Sequence, residues 1–424
     1  MSQTSPRRTA ISRLPYLALL APLAVALAAC EGSGNPLASA PYDAAKQVAF
    51  SDTDGSKQVD PNKPLEVTSK GGSRITDVTA TDGTGRVVRG ELDAKGTKWH
   101  STAPLAAGVH YTVRVSTEND DGAPGLQTIG FDTKAANNLL DVTFGPDSGT
   151  YGVGEPVTAA LSKPVTDPAA RAVVERSLHV TSTPSVTGSW YWVDSRTLHY
   201  RPKEYWPAHA TVSVTSGLNG VQVSKGLYGG PAKSVTMNIG DKVVALTDAS
   251  SHQLTLYRDG DAVRTVPVTT GKPGFATRNG IKVVLEKQSF VQMKSSTVGI
   301  AAGSADSYDL PVYWATRVTW SGEYVHAAPW SVGSQGVANT SHGCTGMSTE
   351  NAHWFFDQVE PGDVVQVVNS EGHDMEPFGN GFGDWNVPWD KWVQGSALGT
   401  KAASASQADD TTHRGDPARL SPRV

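Results

Sequence analysis

The run Tyr111-Thr112-Val113-Arg114-Val115 alternates apolar and polar residues, and Ala210-Thr211-Val212-Ser213-Val214 answers it ninety-nine residues downstream. Period-two alternation sends every second side chain to one face, so each run reads as a half-buried strand. Each is preceded by an aromatic segment and a turn: Trp99-His100 before Leu105-Ala106-Ala107-Gly108, and Leu198-His199-Tyr200 before Trp206-Pro207-Ala208. Other short β runs, such as Leu65-Glu66-Val67-Thr68 and Val87-Val88-Arg89, are cut apart by Gly, Asp, Asn and Pro. A repeat of that length and texture fits two tandem β-sandwiches, one per hundred residues. The expected spans are 46–136 and 137–239.

At 424 residues the chain has room for further cores beyond these two. A formal net charge of −5 argues against a nucleic-acid binder, which would display a basic surface. The first thirty residues read as a targeting segment. Arg7, Arg8 and Arg13 precede an apolar run from Leu14 to Ala29, which ends Leu27-Ala28-Ala29-Cys30. That ending resembles a bacterial lipobox. Cys30 would then be acylated and become the new N-terminus, anchoring the protein to the outer face of the cytoplasmic membrane, toward the cell wall. Ordinary secretion with cleavage near a small-residue site is the alternative, and Arg7-Arg8 is compatible with twin-arginine export. Residues 31–45 read as a flexible tether.

From Val243 the strands continue as a meander, with Asp259-Gly260 a hairpin turn between Gln253–Tyr257 and Val263–Thr269. Gly271-Lys272-Pro273-Gly274 lacks the Gly-Lys-Ser/Thr ending of a phosphate loop. The stretch Ser341-His342-Gly343-Cys344-Thr345-Gly346-Met347 contains the second of only two cysteines. With Cys30 assigned to the leader, Cys344 has no internal disulfide partner, and in an exported chain a lone thiol points to used reactivity. His326, in Tyr324-Val325-His326-Ala327-Ala328-Pro329-Trp330, is an available base. Ser348-Thr349-Glu350 signals a helix over 350–359, whose N-terminus would help to lower the thiol pKa. A zinc site of His326, His342 and Cys344 lacks the repeated Cys or His pairs of structural zinc, so neither metal nor cofactor is expected.

Ser341-His342-Gly343-Cys344, preceded by Tyr-Val-His-Ala-Ala-Pro-Trp, resembles the signature of the L,D-transpeptidases, enzymes of the YkuD fold. The likeness runs from about Val243 to Trp392. It is strongest to exported members that carry two immunoglobulin-like modules ahead of the catalytic domain. The expected fold is therefore mainly β: two immunoglobulin-like sandwiches, then a YkuD-type β-sandwich over 240–371 with one or two short helices. A Trp-rich extension over 372–393 would pack on the catalytic domain, and 394–424 would be a disordered tail.

The resemblance implies Cys344 as nucleophile and His326 as base, oriented by the carbonyl of Ala327. It implies the amides of Gly343 and Cys344 as oxyanion donors, and His342 as structural or donor-side support. Tyr308 stands at the place of a substrate-facing tyrosine on a flap over 290–312; Met293, Ser341 and Trp330 complete the expected substrate contacts. The implied reaction takes a peptidoglycan stem tetrapeptide as donor, releases D-alanine, and joins the third residues of two stems. Carbapenems are the implied covalent inhibitors. Family members usually carry Asn where Gly346 stands, which bears on donor specificity or rate. Two further readings stay open: an L,D-carboxypeptidase using water, and a wall-binding lipoprotein whose site has decayed. For Trp190-Tyr191-Trp192, packing into a sandwich core is favoured over sugar stacking.

Overall fold

The computed structural model describes residues 41–51 and 58–399. Cys30 and most of the expected tail lie outside the described residues. The first module is two four-stranded sheets. One carries His110–Glu118 between Arg74–Asp82 and Pro124–Asp132, and the other pairs Glu66–Ser69 with Lys98–Ser101. Tyr111, Val113 and Val115 point into a core with Val67, Trp99 and Phe131, as their alternation requires. The module starts earlier than the sequence indicated. Tyr42–Asp43 pairs in parallel with Gly125 and Leu126, and Ala44 is buried, so residues 42–45 belong to the sandwich and not to a tether.

The second module is a further pair of four-stranded sheets, built around Val157–Leu161 with Thr197–Pro202 and around Thr211–Ser216 with Ser234–Ile239. It also holds a helix, Pro168–Arg176, that strand periodicity did not announce. Its start is chemically plain in hindsight: Asp167 accepts from the Ala170 amide as N-cap, and Pro168 occupies the first turn, where no N–H is needed. Trp190 and Trp192 are buried in the core, as expected for alternating aromatics. The outward Tyr191 is not free; Phe378 and Trp392 cover it at centroid distances of 4.9 and 5.0 Å.

The third domain stacks a five-stranded sheet on a four-stranded one. In the first, Val243–Asp248 lies between Gln253–Arg258 and Val364–Val368, with Gly280–Val283 at one edge. The Asp259-Gly260 turn has positive φ at both residues, as the tight hairpin demands. The second sheet runs Glu286–Lys294, Asp309–Arg317, Tyr324–Ala327, Thr345–Met347. The helix Thr349–Gln358 closes the core between them, with Ser348 accepting from the Asn351 amide and Phe355 wholly buried. Burying such a phenylalanine contributes about 1.5–3 kcal/mol.

The three domains are joined through fixed contacts. Arg86 of the first module donates to the carbonyls of Gly217 and Asn219 of the second. Between second and third, Gly152 and Gly154 donate to Pro361 and Gly362, and Val364 packs into the second module's core. The Trp-rich extension corrects an expectation. It packs chiefly on the second module, bridging it to the catalytic domain: Trp392 Nε1 donates to Ser189 O (2.9 Å) and Trp385 Nε1 to Gly154 O (2.8 Å). Arg201 lies over the rings of Trp385, Trp389 and Trp392, while Asn386 bonds both backbone groups of Ile281. The ordered chain continues past 393, since the Ala397 amide donates to Glu175 Oε2 at 2.7 Å.

Glu155 sits at this junction, buried beside Asp384, and burial pushes its carboxyl up to about 8. A carboxyl whose folded pKa lies above its unfolded value makes stability fall as pH rises between the two. Glu155→Gln should therefore raise Tm by a few degrees at pH 8 and leave it nearly unchanged at pH 4. An equal effect at both pH values, in thermal melts followed by circular dichroism, would contradict the assignment.

Candidate active site

The four-stranded sheet of the third domain brings the two chemistry-bearing segments together. Tyr324–Ala327 and Thr345–Met347 pair in parallel with Val325 opposite Thr345, His326 opposite Gly346 and Ala327 opposite Met347. Period-two alternation then puts Cys344, Gly346 and His326 on one face. Cys344 and His326 both line a cleft of about 240 Å³. Met293, Tyr308, Trp330, Ser341 and His342 line it as well. A larger open cleft of about 510 Å³ lies on the first module among Lys70, Arg74 and Lys95, with neither thiol nor imidazole.

His326 is buried, and its Nδ1 lies 2.8 Å from the carbonyl of Ala327. A carbonyl only accepts, so Nδ1 carries the hydrogen and Nε2 is left as the base. Burial lowers the imidazole pKa, keeping it neutral. The cysteine is half-buried, and its Sγ donates to Gly322 O at 3.5 Å. Burial pushes the thiol up to about 12, against a smaller opposing effect from the backbone of Tyr324. This reverses the expected help from a helix N-terminus. The helix begins only at Thr349, beyond the strand that follows the cysteine, and Ser348 caps its first turn. Thiol and imidazole thus both rest neutral in one cleft, an arrangement that suits proton transfer more than a standing ion pair.

The loop carrying the thiol is held from several sides. Gly343 has φ +116°, a conformation that favours glycine. Thr277 Oγ1 donates to Gly343 O (2.8 Å), and Ser341 Oγ donates to Cys344 O (2.6 Å). The Gly343 amide donates to Ser341 Oγ at 3.1 Å. It is therefore engaged already, which corrects its expected availability as an oxyanion donor and leaves the Cys344 amide as the remaining one of the pair. His342 Nε2 lies 3.4 Å from Asp306 Oδ1 on the flap, and its ring meets Phe275 edge-on at 4.7 Å. The flap itself is the connection between Glu286–Lys294 and Asp309–Arg317, and Lys272 Nζ pins it through Asp306 at 2.6 Å.

Several contributors were not singled out from sequence. Thr269 exchanges backbone bonds with Gly346, and its hydroxyl receives the Thr340 amide, so a strand end forms one wall of the cleft. Leu310 and Val312 supply apolar lining. Their strand alternation was the available signal. Gly346 is crowded: a Cβ there would stand 2.9 Å from Ala328 Cβ and 3.2 Å from Thr269 Cγ2. The asparagine usual at this position in the resembling family has no room unless both walls move.

Known proteins resemble the chain along most of its length. A family model for a bacterial Ig domain matches residues 56–222, and the L,D-transpeptidase catalytic domain model matches 242–367. L,D-transpeptidase 2 of Mycobacterium tuberculosis (strain CDC 1551 / Oshkosh) is 34% identical over 400 residues, covering 92% of this chain and 97% of that protein. L,D-transpeptidase 1 of Mycobacterium tuberculosis (strain ATCC 25618 / H37Rv) is 42% identical over 218 residues, covering 51% of this chain and 80% of its own length. Among solved structures, an LD transpeptidase in complex with imipenem is 40% identical with a TM-score of 0.47, spanning 54% of this chain and all (100%) of that one.

Two outcomes follow from the geometry. Alkylation of Cys344 by iodoacetamide, followed by intact mass, should rise about tenfold per pH unit from pH 6 to 9 without levelling. A plateau near neutrality would mean a resting thiolate. Gly346→Asn should cost about 1–3 kcal/mol through overpacking. A lower denaturation midpoint at unchanged m-value is the signature, and an unchanged midpoint would show that the walls yield freely.

Proposed function

The chain belongs to the L,D-transpeptidase family, and from that premise we propose that it cross-links peptidoglycan stem peptides through a thioester on Cys344. The thiol attacks the carbonyl of the third residue of a donor tetrapeptide while His326 Nε2 takes its proton. The Cys344 amide receives the developing oxyanion. The proton passes to the departing amine, D-alanine leaves, and a thioester remains. The side-chain amine of a neighbouring stem's third residue then attacks the thioester, again giving its proton to His326, and the sulfur departs. The product is a link from third residue to third residue.

The observation that carries this reading is the Nδ1–Ala327 carbonyl bond, which aims a neutral Nε2 into the cleft that Cys344 lines. Apolar lining from Met293, Leu310 and Val312 supports it by limiting water around a thioester. Carbapenems, as strained acyl donors, are proposed covalent inhibitors of the same thiol. Cys30 is the proposed lipid anchor, holding the enzyme at the outer face of the cytoplasmic membrane.

Incubation with a disaccharide-tetrapeptide should give cross-linked dimer and free D-alanine, resolved by mass. Cys344→Ala should lose on the order of 10³-fold or more of the rate, and His326→Ala about 10²–10⁴-fold. Tripeptide release without dimer would establish water as the acceptor, and full activity in Cys344→Ala would end the thioester account.

A further inference from the structure

Behind the nucleophile loop lies a cluster of charged side chains that the proposed reaction does not use. Lys282 sits in the middle of the edge strand Gly280–Val283 and is wholly buried. Its Nζ is 2.5 Å from Glu323 Oε2 and donates to Arg278 O at 2.8 Å. Glu323 is buried too, and its Oε1 receives both the Arg278 amide (3.0 Å) and Arg278 Nη1 (3.1 Å). Arg278 reaches onward to the half-exposed Glu376 at 3.0 Å. The buried end of the chain thus holds two cations against one carboxylate, with the second carboxylate at the solvent end.

Glu323 is the residue between Gly322, whose carbonyl accepts the thiol hydrogen, and Tyr324, whose backbone faces the sulfur. It also abuts the cysteine's other neighbour, since a Cβ on Gly343 would stand 3.8 Å from Glu323 Cγ. Burying an ammonium costs several kcal/mol of desolvation, and apolar side chains of similar volume would fill the space without it. Packing alone does not account for a lysine here. We propose that Lys282 is a positioning residue for the nucleophile: through Glu323 it fixes the Gly322–Tyr324 turn against Cys344 Sγ, and its charge favours the sulfur anion as it forms. This rests on the reading of Cys344 as the nucleophile.

Other titratable groups face the sulfur from every side. They are Tyr324 and His326 on the adjacent strand, Tyr308 on the flap, and His342 on its own loop with Asp306 and Lys272 behind it. Tyr324 and Tyr308 are held in their neutral form by burial, and Lys272 is neutralised by Asp306. Lys282 is the buried cation among them, and Glu323 is the buried carboxylate; Glu323 opposes a sulfur anion more than Lys282 favours it, so the lysine acts by offsetting that carboxylate.

The test compares iodoacetamide alkylation rates at Cys344 from pH 6 to 9 in the full chain and in Lys282→Met, Lys282→Gln and Lys282→Arg. Met keeps the bulk, Gln keeps a donor toward Glu323, and Arg keeps the charge. Both neutral variants should displace the pH–rate line by about one unit toward higher pH, making alkylation about tenfold slower at a given pH, while Arg restores most of the loss. A purely structural lysine would change Tm and leave the line where it was. A neutral variant that folds and alkylates like the parent overturns the proposal, and Gln stands in if Met fails to fold. Carbapenem acylation of the parent, read by intact mass, is a separate arm. A chain that alkylates but is never acylated would sink the nucleophile reading while the charge comparison still stands.

Discussion

Three residue pairs in one parallel ladder, Val325 with Thr345, His326 with Gly346 and Ala327 with Met347, fix the relation between imidazole and thiol. A slip of one residue would turn either His326 or Cys344 to the opposite face, because side chains alternate along a strand. Much of the surrounding structure enforces this register. Thr269 brackets Gly346 with two backbone bonds. Thr277 holds the Gly343 carbonyl, and Gln335 Nε2 donates to Ala328 O just past the histidine strand. Gly346 itself, with no side chain to spare, lets Ala328 and Thr269 close in.

The electrostatics of the site follow from burial. Removing both groups from water favours their neutral forms, so the thiol rises to about 12 and the imidazole falls. The hydrogen on sulfur points to the Gly322 carbonyl in the meantime. A thiol kept protonated until an acyl donor arrives is less exposed to oxidation, which follows thiolate character. The charge needed during attack has to come from nearby groups that are already in place. Lys282 stands in that position behind the cysteine loop, where it offsets the Glu323 carboxylate that by itself disfavours the sulfur anion. The same economy of fixed contacts extends outward, where the Trp385–Trp392 strap and the Gly152–Gly154 bonds join the second module to the catalytic domain.

Much of this was legible in the sequence because it depends on local pattern. The alternation of Tyr111–Val115, the Asp259-Gly260 turn and the Ser348 cap each carry their own signal, and each stands in the structure. The thiol and its histidine sit in short motifs on neighbouring strands, so family likeness found them. What sequence left hidden depends on contacts between distant segments. Nothing local says that Lys282 turns inward to meet Glu323, or that the Gly343 amide is taken by Ser341. The thiol pKa was misjudged for the same reason. A helix start can be read from a cap, but desolvation needs the whole fold. The docking of the C-terminal tryptophans on the second module, around Arg201, is likewise a matter of tertiary complementarity.

Thiol and imidazole both wait uncharged, with the imidazole hydrogen held on Nδ1 by the Ala327 carbonyl. Nitrogen-15 NMR of histidine-labelled protein tests this most directly. At pH 7 to 8 the His326 ring should show a protonated Nδ1 and an unprotonated Nε2. An imidazolium signal at pH 7 that disappears in Cys344→Ala would reveal a standing thiolate partner and contradict the account.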